Sequence, residues 1–457
     1  MKIENDLGRD PIRKLVYRIG LPSMLAQFVS VLYSIVDRMY IGNLGGIGDL
    51  ALAGVGICGP IVTMIGSVAF FVGVGGSPLM SIALGEQKEK KAEQILANSF
   101  FLLLVFSVFL TAGSLWGKEA LLRWFGASDA IFPYANEYIT VYLCGTVFSL
   151  LSIGMNQFII CQGFARVGMV SVLLGAVTNI ILDPVLMFGF DMGVFGAALA
   201  TVISQMLSCF YVLGFLLGKK PAVRIRWGGY RFDIMGQILK TGFTPFAIIA
   251  VDNVMIIAMN ALLQRYGGPQ RGDMLITCAT IVQSLMLVVT MPLGGISAGT
   301  QTILGFNYGA RRADRVRQAQ HEIRRFAVIF ASLMFFAAMV FARPFAMIFT
   351  QKQALLDLTE RMIRIYVLGV IPLGVQYTIV DGFTGMGLVR LSMPLSFFRK
   401  GVFFAALFLL PRFFGAEGLF FAESISDFLG TGFSVLVYRL NMESILTERC
   451  GSQPGGV

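Results

Sequence analysis

Twelve apolar stretches, each long enough for one bilayer crossing of about 20 residues, follow one another along this 457-residue chain. They run near 15–42, 50–84, 94–116, 131–161, 167–190, 193–217, 236–264, 274–305, 325–349, 358–384, 391–411 and 415–440. Hydrocarbon offers no hydrogen-bond partners, so a spanning segment must satisfy every backbone N–H and C=O within itself. Each stretch is therefore predicted to be α-helical, and the chain an all-α membrane protein. The charges support this: only 14% of residues are charged, against about 25% in soluble domains, and they cluster between the apolar stretches.

The first apolar run begins near Val16, is interrupted by Pro22 and continues well past the length of a signal-peptide core, so it is predicted to be the first span. The net charge of +10 comes from Lys and Arg in short loops beside apolar spans, a pattern of membrane orientation rather than nucleic-acid binding. Lys2, Arg9, Arg13, Lys14 and Arg18 precede or open span 1, and Lys88, Lys90 and Lys91 follow span 2. Loop 6–7 carries Lys219, Lys220, Arg224, Arg226, Arg231 and Lys240, and loop 8–9 carries Arg311, Arg312, Arg315, Arg317, Arg324 and Arg325. The alternate loops are poorer in basic residues, which places both termini in the cytoplasm. Of the six cysteines (Cys58, Cys144, Cys161, Cys209, Cys278, Cys450), five lie in apolar segments, and none has metal-ligand spacing.

The chain also matches itself. Gly20, Gly45 and Gly46 fall on Gly242, Gly267 and Gly268 at a constant offset of 222 residues, and "LGEQKEKKAEQ" echoes "YGARRADRVRQ". Gln157, Gly163, Phe164, Gly168, Gly196 and Ala197 fall on Gln376, Gly382, Phe383, Gly387, Gly415 and Ala416 at offset 219. Two halves of six spans each run the same way through the membrane, a common plan of secondary transporters, although repeats also occur in channels and membrane enzymes. The expected organisation is a cytoplasmic segment (1–14), an amino lobe (15–217), a cytoplasmic inter-lobe loop (218–235), a carboxy lobe (236–440) and a cytoplasmic tail (441–457).

Polar residues inside spans narrow the function. Ser23, Gln27, Ser30, Ser34 and Asp37 are spaced three or four apart on span 1, which puts them on one helical face. A carboxylate as deep as Asp37 must find a partner, bind a cation or take a proton. Asn179 and Asp183 stack on one face of span 5, where Pro184 frees backbone carbonyls, and Thr201 and Gln205 do so on span 6. Two carboxylates, an amide and a hydroxyl suit a sodium ion held through oxygen or a shared proton; structural hydrogen bonds or capping by Arg38 would account for the same residues.

In the second half, Met259, Phe398 and Val402 replace Asp37, Asn179 and Asp183. That half instead carries Asp252 and Asn253 on span 7, Gln283 on span 8, Asp381 on span 10, Arg399 and Lys400 on span 11, and Glu423 and Asp427 on span 12. The pattern predicts a charge network in which Arg399 and Lys400 are balanced by two or three of the acids, serving either structure or substrate contact. The single histidine, His321, lies in a basic segment, and there is no nucleophile constellation, so an enzyme is disfavoured. The absence of a repeated filter element disfavours a channel.

"VDRMYIGNLGG", "GFARVGM", "NIILDPVLMFGFDMGVFGAALATVISQ" and "MPLGGISAGTQTILGFNYGARR" resemble the multidrug and toxic compound extrusion (MATE) transporters over nearly the whole chain, most closely the bacterial DinF-like and staphylococcal-type branch. The resemblance implies two six-helix lobes in a V around a central cavity, exporting amphiphilic or cationic organic compounds in exchange for H+ or Na+. It implies a cation-coupling site at Asp37, Asn179, Asp183 and Thr201, with Na+ one candidate occupant, and a helix-bending role for Pro22. Gln27, Ser30, Ser34, Gln205, Asp252, Asn253, Gln283 and Asp381 are the candidate substrate-cavity residues. The expectation is a monomer in the bacterial inner membrane, in contact with lipid, with no cofactor beyond the coupling ion. The rival reading is a flippase for a lipid-linked oligosaccharide or peptidoglycan precursor, which Arg399 and Lys400 would suit.

Overall fold

In the computed structural model the chain is described from Asn5 to Cys450, apart from Gly46, Gly126 and Ser128 and the side chains of Asp49, Pro269, Gln270, Asp273 and Cys450. The expectations resting on Lys2, Gly46, the Cys450 thiol and the tail beyond it lie outside the described residues. Fourteen helices carry almost everything else: α1 (Ile12–Gly42), α2 (Gly48–Gly85), α3 (Glu89–Trp124), α4 (Phe132–Cys144), α5 (Thr146–Ile160), α6 (Ala165–Pro184), α7 (Gly193–Leu217), α8 (Phe232–Gly268), α9 (Met274–Gly309), α10 (Ala313–Met347), α11 (Gln353–Tyr366), α12 (Val370–Gly385), α13 (Val389–Phe414) and α14 (Phe421–Cys450). Among the described residues, eleven segments are long and apolar enough to cross a membrane, or twelve when α4 and α5, bent by 57° at Gly145, count as one broken span. The twelve predicted spans are therefore present in order, with span 4, read as 131–161, broken into two helices.

Helix ends differ from the apolar limits for a simple reason. The predicted span 325–349 begins well inside α10, which starts at Ala313 and carries Arg315, Arg317, Arg324 and Arg325 in its first half. Arginine is a good helix former, so charge ends the membrane-embedded part without ending the helix. Exposed Phe109, Trp116, Leu333 and Val340 on the helix surfaces form the kind of apolar exterior that lipid solvates and water does not.

By contact the chain divides into two compact units, one of residues up to Asp6 with Leu25–Phe246, the other of Leu7–Met24 with the chain from Ala247 onward. Both divisions fall inside helices, after Met24 in α1 and after Phe246 in α8, and these points are separated by the same 222 residues as the sequence repeat. In the first unit α2 packs on α3, α4 and α5, and α6 packs on α7. Met80, Leu96, Leu103, Leu150 and Phe158 lie fully buried in its core. The start of α8 belongs here because two glycines let backbones meet: a Cβ on Gly75 would collide with the Ile238 carbonyl oxygen, and one on Gly242 with that of Phe71. In the second unit α12 packs on α10 and α14, and α13 on α14, around Met259, Leu263, Val289, Ile363 and Phe420.

Candidate functional site

In the first unit, α6 runs regularly to Pro184, whose ring removes a backbone donor, and the next five residues, Val185–Gly189, wind as a π-turn. The Phe190 N–H closes that turn on the Val185 carbonyl at 2.9 Å. Such widened turns recur beside functional sites, and this one follows directly on Asp183. One helical turn earlier, the Asn179 amide donates to Asp183 Oδ1 at 3.1 Å and reaches Thr201 Oγ1 on α7 at 3.5 Å. Thr201 in turn donates to its own helix at Ala197, 3.1 Å away. Asp183 is fully buried and Asn179 nearly so.

From α1, Asp37 brings a second carboxyl group within interaction range of Asp183. Asp37 Oδ1, Asn179 Oδ1, Asp183 Oδ2 and Gln205 Oε1 are all buried oxygens that accept no hydrogen bond. Two carboxyl groups this close, each keeping one oxygen that accepts no hydrogen bond, repel one another when both are ionised. The all-oxygen donor set of the pair fits a proton or a hard monovalent cation. With only two acids it falls short of a metal centre, and no group of three or more His, Cys, Asp or Glu suited to a metal occurs among the described residues.

Spacing along the sequence did not single out the tyrosines around this pair. Tyr138 reaches Thr201, Tyr142 reaches Gln205 and lies 3.4 Å from Ser149, and Tyr33 faces both acids. The rings of Tyr138 and Tyr142 stack 6.4 Å apart. Their i, i+4 spacing on α4 was the available signal: two phenol hydroxyls on one face of a span need polar partners.

The remaining polar residues of α1 behave differently. Ser30 and Ser34 donate to carbonyls of their own helix, at Ala26 (3.0 Å) and Ser30 (2.9 Å). Gln27 is half-buried on the same helix, whereas Pro22 and Ser23 are buried in the other unit.

In the second unit the charges neutralise one another. Arg399, only 7% exposed, pairs with Glu423 at 3.1 Å and with the fully buried Asp427 at 2.9 Å, and Lys400 pairs with Asp252. The Tyr366 hydroxyl donates to Glu423 at 3.5 Å. Asp381 has a separate set of partners on α9, Ser297 and Gln301, neither of which the sequence had singled out. Asn253 and Gln283 stay outside the network: Asn253 donates to Ile249 on its own helix at 2.9 Å, and Gln283 meets the Met259 sulfur at 3.8 Å.

The MatE family model matches residues 22–185 and 249–409, well over half of the chain. Over 96% of both chains, the sequence is 22% identical to the multidrug export protein MepA of Staphylococcus saprophyticus. An outward-facing multidrug resistance MATE family transporter of the MOP superfamily superposes with a TM-score of 0.90 at 22% identity, over 97% of this chain and 99% of that one. A MATE crystal structure in complex with MaD3S superposes with a TM-score of 0.88 at 23% identity, over 96% and 98%. The chain belongs to the MatE family of transporters and has its fold.

Proposed function

We propose that this member of the MatE family is a secondary active multidrug efflux transporter, moving amphiphilic or cationic organic compounds out of the cell in antiport with H+ or Na+ by alternating access. The observation that carries the reading is the Asp37–Asp183 pair, two facing carboxylates in the first unit with buried oxygens that accept no hydrogen bond. Such a pair changes its internal repulsion when a cation or proton arrives, which is what a coupling site requires. Asn179 holds Asp183, Thr201 accepts from the same amide, and both side chains supply further oxygen.

In the proposed cycle, loading this site removes the repulsion between α1 and α6 and lets α1 relax, with Pro22 as the bending point. Pro22 cannot donate to the Arg18 carbonyl, and the contact division of α1 falls two residues beyond it. The relatives named as multidrug exporters support the substrate class. The flippase reading loses its basis, because Arg399 and Lys400 are paired with Glu423, Asp427 and Asp252 and hold no charge free for a pyrophosphate. The proposal includes the bacterial inner membrane as location, both termini in the cytoplasm and a monomeric transport unit.

The test is efflux of a fluorescent organic cation from proteoliposomes under separately imposed proton and sodium gradients. One of the two gradients should drive efflux in the unaltered protein. Asp37→Asn and Asp183→Asn should each reduce the driven component by about a hundredfold, as loss of a group essential to a step does, while remaining folded. Gradient-driven efflux by either variant at the parental rate would refute the coupling site, and gradient-independent efflux by the parent would refute antiport.

A further inference from the structure

At one end of the first unit a cleft of about 680 Å³ opens between the α2–α3 turn and the start of α8. It is lined by Lys88, Lys90, Lys91 and Arg231, against two acids, Glu89 and Asp233. Arg231 and Asp233 consume each other through two hydrogen bonds of 3.0 and 2.8 Å, and Lys88 pairs with Glu86 at 2.8 Å. Lys90 and Lys91, both exposed, remain with Glu89 as a wall of net positive charge.

This wall does not face a drifting loop. Asn98, fully buried on α3, accepts a hydrogen bond from the Arg231 N–H at 2.9 Å and donates to the Gly229 carbonyl at 3.2 Å. Arg226 adds an ion pair to Glu93 at 3.5 Å, so the 218–231 loop is held against the first turns of α3. The same loop and the first residue of α8 carry a row of aromatic side chains. Trp227 meets Phe100 edge-on at 5.6 Å, Tyr230 leans on Phe101 at 4.8 Å, and Phe232 stands 93% exposed. Tryptophan and tyrosine standing out beside basic residues mark the level where acyl chains give way to headgroups. At that depth a cationic cleft meets phosphate before it meets any other anion.

We propose that this cleft is a binding site for a phosphate ester, presented by the headgroup of an anionic membrane lipid. The Lys90 and Lys91 ammonium groups take the phosphate oxygens, while Trp227, Tyr230 and Phe232 rest against the lipid's glycerol and upper acyl region. The site is independent of the transported compound and of the Asp37–Asp183 pair.

Native mass spectrometry of the full chain, released from mixed phosphatidylglycerol and phosphatidylcholine vesicles, reads which lipid stays bound. The unaltered protein should retain phosphatidylglycerol in preference, and Lys90→Glu with Lys91→Glu should lower that retention roughly tenfold or more. Lys219→Glu with Lys220→Glu reverses the same amount of charge on the pinned loop without lining the cleft, and should keep the retention. An equal drop in both pairs reduces the effect to net charge and overturns the proposal. A second arm adds inorganic phosphate and follows the melting temperature. A phosphate-dependent rise lost only in the Lys90/Lys91 variant, without lipid retention, upholds the phosphate chemistry and assigns it to a soluble ligand. Neither retention nor a rise overturns the site.

Discussion

Buried charge meets opposite fates in the two units. Asp427 is fully buried yet accepts from Arg399 at 2.9 Å, and Glu423 shares the same guanidinium at 3.1 Å. Breaking a buried pair strands its partner in a low-dielectric surrounding. Arg399→Leu should therefore destabilise the protein by about 3–5 kcal/mol, read as a lower melting temperature in detergent, and Arg399→Leu combined with Asp427→Leu should recover part of the loss. An Arg399→Leu protein that melts with the parent would show that the network contributes nothing to folding. The acids were legible in the sequence because a carboxylate in an apolar run is conspicuous wherever it occurs. The balancing of Arg399 and Lys400 by two or three of those acids was legible too, but not which acid each would meet, since helical spacing says which residues share a face but not which neighbouring helix that face meets. Ser297 and Gln301, the partners of Asp381, escaped notice for that reason, and the tyrosines around Asp37 did so because an aromatic ring suits a lipid-facing position equally well.

Among the elements, hydropathy located every span but not its ends or its irregularities. The α4–α5 break at Gly145 and the π-turn after Pro184 both lie within stretches that look continuous by composition. The glycine-rich run around Gly75 meets the first turns of α8, a partner that its composition does not name. A side chain on Gly242 would occupy the space of the Phe71 carbonyl, so Gly242→Val should destabilise the protein by about 1–3 kcal/mol, the range of overpacked cores. Gly236, six residues earlier on the same helix, has open space where a methyl group would sit, with nothing within 4 Å, and Gly236→Val is the matched control. Similar melting temperatures for the two variants would exclude Gly242 as a point of close approach.

For the whole molecule, the internal repeat predicted two halves, and the contact units divide at two points separated by that repeat's own offset. The basic loops predict which way the chain is threaded. In a variant without native thiols, a cysteine at Lys219 should react with an impermeant maleimide only in inverted vesicles, and one at Asp129, between α3 and α4, only in intact cells. Labelling of both from the same side would overturn the odd number of crossings between them or the integrity of the broken span.

By itself the sequence determined that the chain spans a membrane many times, that it is duplicated, and that its halves carry different charges. These follow from local chemistry: a span must be apolar and helical wherever it packs, and an acid in hydrocarbon is costly in any fold. The tertiary structure alone decided that Asp37 and Asp183 meet with oxygens that accept no hydrogen bond, which acids Arg399 and Lys400 each pair with, and that each unit takes in the start of a helix from the other half of the sequence. Those outcomes depend on which helix faces meet. That is set by the packing of many side chains and close glycine contacts at once, and no single segment encodes it.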